Sequence, residues 1–193
     1  TKVTKQDIIE KALDLLRENG ERAINARSIA AALGCSTQPI FSNFSSMEEL
    51  EESVTLAAYE CYLGALAREA GSGKYPAYKA SGMAYIRFAK EEKELFKLLY
   101  MRNRDGEAFS VGAEVDSEME ALVQTQTGLS ETEAKLFHLE VWAYVHGIAT
   151  MFATGFLNLE WELVSKMLNC LCLLKSYLQI QFERKGLTLL FDY

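Results

Sequence analysis

The sequence predicts an all-α protein, and three features carry that prediction. Only two prolines, Pro39 and Pro76, interrupt 193 residues. Long stretches rich in Leu, Ala, Glu and Lys, all strong helix formers, lie between sparse breakers. Within these stretches apolar residues recur at helical spacing, giving about nine helices. The length suits one large or two small domains, and 49% apolar residues provide a substantial core.

The first helix is expected from Lys5 to Asn19. Thr4 is a good N-cap, and Asp7 stands three residues on in the capping-box position. Val3 and Ile8 occupy the staple positions. Ile8, Ile9, Ala12, Leu13, Leu15 and Leu16 form a broad apolar face, and Asn19-Gly20 stops the helix. A second, short helix is expected over Ala26 to Leu33, capped by Asn25 and ended by Gly34. The third opens at Ser36 as N-cap, with Pro39 at the third helical position, where its missing N–H has no partner to lose. Ser45 or Ser46 caps a fourth helix reaching about Ala70.

Gly71-Ser72-Gly73, followed by Pro76, is the clearest break in the chain. Further helices are expected over 77–90, 93–103, 113–127, 131–155 and 160–184, with Arg104–Gly112 as a loop. Gly186–Tyr193 is apolar and carries no helix signal. Residues 141–157 lack Asp, Glu, Lys and Arg, but the stretch is short for a membrane span and includes His146, Thr150, Thr154 and two glycines. A buried core helix is expected there, and no membrane association.

The formal net charge is -7, which argues against a general nucleic-acid coat protein. The charge is uneven. Residues 1–47 hold six Lys/Arg and five Asp/Glu, a balance of +1, and the remainder carries -8. Phosphate contact is therefore expected from the N-terminal end alone. Cys35, Cys61, Cys170 and Cys172 lack zinc-ligand spacing, and the only histidines are His138 and His146. Free thiols in a reducing cytoplasm are expected, with no metal and no cofactor. The chain opens without a signal-peptide pattern. No phosphate-binding glycine loop or nucleophile–base signature is present, so an enzyme is not expected.

Two short helices joined by a tight turn and propped by a longer first helix are the parts of a helix-turn-helix. Gly34 permits the sharp turn, and Ala30 and Ile40 are placed to pack the two helices together. The residues go further than the pattern. They include Ala12, Leu16 and Gly20, then Asn25-Ala26-Arg27-Ser28-Ile29-Ala30 and Gly34-Cys35-Ser36. Ile40-Phe41-Ser42-Asn43-Phe44 and Ser46-Met47-Glu48-Glu49-Leu50 follow at fixed spacing. The run from Ile8 to Leu50 resembles the N-terminal domain of the tetracycline-repressor (TetR) family.

That resemblance implies a DNA-binding face made by Asn25, Arg27, Ser36, Thr37, Gln38, Pro39, Phe41, Asn43 and Met47. Arg27 matches the family's phosphate-contacting Arg; a solvated surface Arg is the plain alternative. Thr37 and Gln38 match positions facing the major groove, where Gln pairs bidentately with adenine. Ser36 reads more simply as a cap. Phe41 fits either a sugar or thymine methyl contact or ordinary core packing. Three positions depart from the family. Phe41 replaces Tyr, Asn43 replaces His or Tyr, and Met47 replaces Lys, so the salt-dependent part of binding should be reduced.

By the same resemblance the rest of the chain is a helical ligand-binding and dimerisation domain. The expected division is 1–47 for DNA binding and 48–193 for ligand and dimer, joined by the fourth helix over about 46–70. The middle helices are aromatic-rich, and Tyr85, Phe88, Phe96, Tyr100, Phe137 and Trp142 are the candidates to line a cavity. Trp142-Ala143-Tyr144-Val145-His146-Gly147 resembles a Trp/His-Gly element of one large subset of the family. Independently of family, Met167–Leu174 is apolar on nearly every side and needs cover on every side. A twofold partner supplies that cover, so a homodimer is expected through His146, Gly147, Thr150, Met167, Leu171, Leu174 and Leu178. The function implied is a regulator, by analogy a repressor, that leaves a double-stranded DNA operator when an unidentified small molecule binds. The alternative is a helical adaptor that has lost DNA binding.

Overall fold

The structure is a computed structural model, and it describes residues 3–102 and 113–170. Every regular element among these residues is helical: α1 Lys5–Asn19, α2 Ala26–Leu33, α3 Gln38–Asn43, α4 Met47–Gly71, α5 Ala77–Glu91, α6 Lys93–Tyr100, α7 Ala113–Thr127, α8 Glu131–Thr154 and α9 over 161–170. The all-α expectation holds. The expected loop Arg104–Gly112 and the tail Gly186–Tyr193 lie outside the described residues.

Local chemistry sets the helix ends. The Asp7 amide donates to the Thr4 hydroxyl at 3.1 Å, and the Asp7 carboxylate accepts from the Thr4 amide at 2.7 Å, completing the capping box. The Asn25 side-chain oxygen caps α2 by accepting from the Ser28 amide at 2.9 Å. Gly34 ends α2 at φ +66°, a left-handed conformation that favours glycine. Ser46 caps α4 through the Glu49 amide.

Three boundaries differ from expectation. A short 3-10 turn, Glu21–Ala23, follows Gly20. The third helix starts one residue later than a Ser36 cap implies: Thr37 stands at the cap, and Pro39 is the second helical residue, not the third. The sixth helix stops at Tyr100, and the Arg102 side chain donates to the Leu98 carbonyl at 2.9 Å, satisfying an acceptor the helix end leaves open.

One continuous apolar core runs the length of the molecule, from Ile8 in α1 to Leu168 in α9. Ala30 of α2 and Ile40 of α3 are both buried in it. α5 is its axis, with Ala80, Met83, Ala84, Ile86, Phe88 and Ala89 all buried. It packs on α4 and α8, and α6 lies between α1, α4, α5 and α8. Among the described residues no helix is long and apolar enough to cross a membrane.

Candidate functional site

The three N-terminal helices form a head with one outward stripe. On α3 the apolar Ile40 and the following Phe44 face the core. At 100° per residue the opposite side falls to Gln38, Phe41 and Ser42, all exposed. Phe41 is 56% exposed, so of its two readings ordinary core packing is removed. Arg27, in the first turn of α2, is exposed and has no ion-pair partner among the described residues.

Other residues of the expected DNA face are occupied internally. The Asn25 side chain serves as the α2 cap, and its amide also donates to the Arg22 carbonyl at 3.3 Å. The Asn43 amide donates to the Pro39 carbonyl at 2.8 Å and the Val3 carbonyl at 3.5 Å. Met47 is half-buried against the core, as an unbranched apolar side chain would be where a lysine would have stayed in water. Ser36 is exposed, and Thr37 and Pro39 are half-buried.

Several cations of the head are also paired. Lys5 Nζ lies 2.8 Å from Glu49 Oε1 and 4.6 Å from the centre of the Phe44 ring. Glu49 also accepts from the Ser45 amide at 2.8 Å. Hydrogen bonds from Lys5 and Ser45 hold its carboxyl down at about 2. Lys11 pairs with Asp14, and Arg17 with Glu92.

A second feature lies between α4, α5, α7 and α8. It is a cavity of about 730 Å³. Aromatic rings from four elements line it, notably Tyr62, Tyr78, Tyr85, Tyr100 and Trp142. Burial, reinforced by neighbouring groups that include Asp116, pushes the Tyr62, Tyr85 and Tyr100 hydroxyls far above the ordinary phenol range, so they remain neutral. Tyr85 Oη lies 2.8 Å from His146 Nδ1, and the His146 ring stacks on Trp142 at 4.9 Å. Burial lowers the His146 pKa, so the neutral imidazole is favoured. At the other wall His138 Nδ1 is 3.1 Å from Tyr78 Oη, and its Nε2 is 3.4 Å from Asp116 Oδ1. These two contacts fit the tautomer that carries its proton on Nε2 and donates it to Asp116. The Tyr62 and Tyr100 hydroxyls have no hydrogen-bond partner among the described residues and remain available inside the cavity.

Of the residues expected to line a cavity, Tyr85, Tyr100 and Trp142 do so. Phe88 and Phe96 do not. Both are fully buried behind the tyrosines, Phe88 against Tyr62 at 5.5 Å and Phe96 between Tyr85 and Tyr100 at 5.2 and 5.1 Å. Phe137 packs on Tyr78 at 6.0 Å without reaching the space. Sequence reading missed Tyr62, Asp116, Lys135 and His138. A signal existed on α8, where Lys135, His138, Trp142 and Val145 recur at helical spacing, a polar start to an otherwise apolar face.

The residues expected at a dimer seam divide. His146 is turned inward to Tyr85, because one residue along α8 rotates it 100° from Gly147. Among the described residues a Cβ at Gly147 would meet nothing within 4 Å, so no described helix crowds it. Thr150 is half-buried, and its hydroxyl donates to the Gly147 carbonyl at 2.8 Å. Met167 is half-buried against the core. Leu171, Leu174 and Leu178 lie outside the described residues. The described surface does expose large apolar side chains: Leu136 (52%) and Tyr144 on α8, and Leu163 (46%) on α9.

Head and cavity are mechanically continuous. α4 begins at the head and carries Tyr62 into the cavity wall. α6 carries Tyr100 at its far end, and the residue before it, Glu92, grips α1. Arg17 Nε donates to Glu92 Oε2 at 2.9 Å and Nη2 to Oε1 at 3.3 Å, and Nη2 also lies 3.8 Å from Cys61 Sγ on α4. Glu92 holds the guanidinium more firmly protonated.

α4 and α6 thus join the helix-turn-helix head to the aromatic cavity. Residues 78–168 match the family model for the tetracyclin repressor-like C-terminal domain. The fold is similar to that of a TetR-like transcriptional regulator from Rhodococcus sp. RHA1, at TM-score 0.65 and 17% identity over 89% of this chain and 94% of that one. It is similar to a TetR-family member from Streptomyces coelicolor A3, at TM-score 0.63 and 17% identity over 86% and 96%. It also resembles the multidrug binding protein EbrR, solved with imidazole, at TM-score 0.61 and 18% identity over 86% and 93%. Comparison with curated protein sequences finds no match. The C-terminal match over residues 78–168 and the fold shared along most of the chain make this protein similar to TetR-family regulators.

Proposed function

We propose that the protein is a ligand-responsive, sequence-specific DNA-binding regulator, a repressor that a small molecule releases from its operator. In this reading residues 1–47 read DNA and 48–193 bind ligand and dimerise, with α4 common to both. The observation that carries it is the unbroken path from cavity to head. Tyr62 and Tyr100 present free hydroxyls to the cavity, and the helices bearing them are fixed to α1 through Arg17 and Glu92. A ligand that repositions either tyrosine moves the head with it. In a twofold dimer the two heads must sit about 34 Å apart to enter successive major grooves, so a small rotation suffices for release. The fold shared with EbrR, a multidrug binding protein, supports a small-molecule role for the cavity. No catalytic role is proposed.

The test uses DNA from the region upstream of the protein's own gene. In fluorescence anisotropy the wild-type protein should bind a segment of it in preference to random duplex. A Trp161→Phe variant leaves Trp142 as the single tryptophan, a reporter stacked on His146 at the cavity wall. Compounds that change Trp142 emission should also lower DNA affinity. Emission changes with unaltered DNA binding would remove the coupling from this proposal.

The adaptor reading keeps one specific observation in its favour. Lys5, Lys11 and Arg17 are paired with acids, and Met47 is half-buried, so few cations of the head are free for phosphate. Absence of any duplex preference at low salt would favour it.

A further inference from the structure

Resting on the DNA-binding reading, we propose that α3 reads A·T pairs in the major groove, with Gln38 on adenine and Phe41 on a thymine methyl, and carries no guanine reader. The argument is one of elimination by chemistry. The commonest way to select guanine is a bidentate Arg or Lys on its O6 and N7. Residues 35–46, which span the turn and all of α3, contain no charged residue and no histidine.

The remaining side chains on this segment can be sorted by what they have left to offer. Asn43, otherwise a second adenine reader, is half-buried, and its amide is occupied by the Pro39 and Val3 carbonyls. The Ser42 hydroxyl donates to the Gln38 carbonyl at 2.8 Å. It keeps only acceptor capacity, which adenine N6 and cytosine N4 satisfy alike. Gln38 is exposed and its amide is uncommitted among the described residues, so it can donate to adenine N7 and accept from N6 at once.

Phe41 lies three residues on, on the same exposed side of α3. A half-exposed phenylalanine on a DNA-facing stripe has no hydrogen bond to make. Its one selective partner in the major groove is the apolar C5-methyl of thymine. The two readers are neighbours on one helix, so they address adjacent or overlapping base-pair steps.

The experiment is selection of bound duplexes from a random pool by the full chain, followed by affinity measurement on the selected site with thymine replaced by uracil, position by position. The expected result is a half-site with an A·T core, in which uracil at one position weakens binding roughly 5-fold or more. Phe41→Ala should weaken binding to the thymine duplex and abolish the difference between thymine and uracil. Gln38→Ala should relax the preference at the neighbouring adenine. Phe41 lies outside the core, so the variant should melt with the wild type, and that melting curve is the folding control. A selected half-site with no A·T pair at the adjacent steps that α3 covers, or one indifferent to uracil throughout, overturns the inference while leaving the regulator reading intact. A pool from which nothing is enriched overturns the regulator reading itself, and this inference with it.

Discussion

At the scale of single residues, the head is more sparing with charge than its sequence suggests. Of its six Lys and Arg, three are paired with acids, and Lys2 lies outside the described residues. Arg22 and Arg27 are exposed without an ion pair among the described residues. Arg27→Ala should therefore weaken binding to all duplexes alike and flatten the salt dependence by about one counterion per head. Titration of affinity against salt measures this, and an unchanged slope would show Arg27 to be an ordinary surface residue. His146 gives a second residue-scale prediction. Its folded pKa lies below the ordinary histidine value of 6.5, because burial disfavours the charged ring. The unfolded chain then binds the extra proton first. Stability contributed by neutral His146 is present above pH 6.5 and is lost as pH falls below it. Thermal midpoints measured from pH 7.5 to 5 should fall less steeply for His146→Gln than for wild type. Parallel curves would mean that other groups account for the slope.

At the scale of elements, the junction of α1 with α6 is where the proposed coupling is tested. Arg17 and Glu92 are about one-third exposed, so the pair should contribute only about 0.5–1 kcal/mol to stability. Its effect on coupling should be larger than its effect on folding. Arg17→Ala should leave DNA affinity in the absence of ligand nearly intact and reduce the drop in affinity that a ligand causes. A variant that responds to ligand as the wild type does would direct attention to α4 as the sole route. Gly147 tests α8. Glycine inside a helix costs about 1 kcal/mol relative to alanine, and a Cβ here meets nothing among the described residues. In a monomer Gly147→Ala should raise the melting temperature. In a dimer whose partner helix approaches this point it should lower it and weaken assembly.

At the scale of the whole molecule, the exposed apolar residues of α8 and α9 are the main unexplained surface. Leu136, Tyr144 and Leu163 are large and solvent-facing in the single chain. A twofold seam over them would join four helices and fix the distance between two heads. Leu163→Glu should be harmless to an isolated subunit, since the side chain is already 46% exposed. In a dimer it places an unpaired charge in the seam at a cost of several kcal/mol, so assembly and operator binding should fail together. Sedimentation at micromolar concentration measures the first and anisotropy the second. A wild-type protein that sediments as a monomer would end this proposal.

The sequence by itself determined the helices and the head. Caps and stops are local chemistry, so Thr4 with Asp7, Asn25, Gly34 and Ser46 act in the structure as their positions predict. The spacing of Ile8, Ala12, Leu16, Ile29, Ala30, Ile40 and Phe44 determined a buried face for each short helix and hence the exposed stripe opposite. Only the tertiary structure decided which polar groups remain available. Arg17 meets Glu92 across 75 residues of chain, and Asn43 meets Val3 across 40, separations at which no periodicity operates. The same holds for the cavity. Tyr85, Phe88 and Phe96 are alike in the sequence, yet one faces the space and two support it, because that depends on how α4, α6 and α8 are rotated about α5. His146 and Gly147 are adjacent residues on opposite errands for the same reason. One turns to Tyr85 and the other meets nothing among the described residues, and a 100° step along α8 separates them.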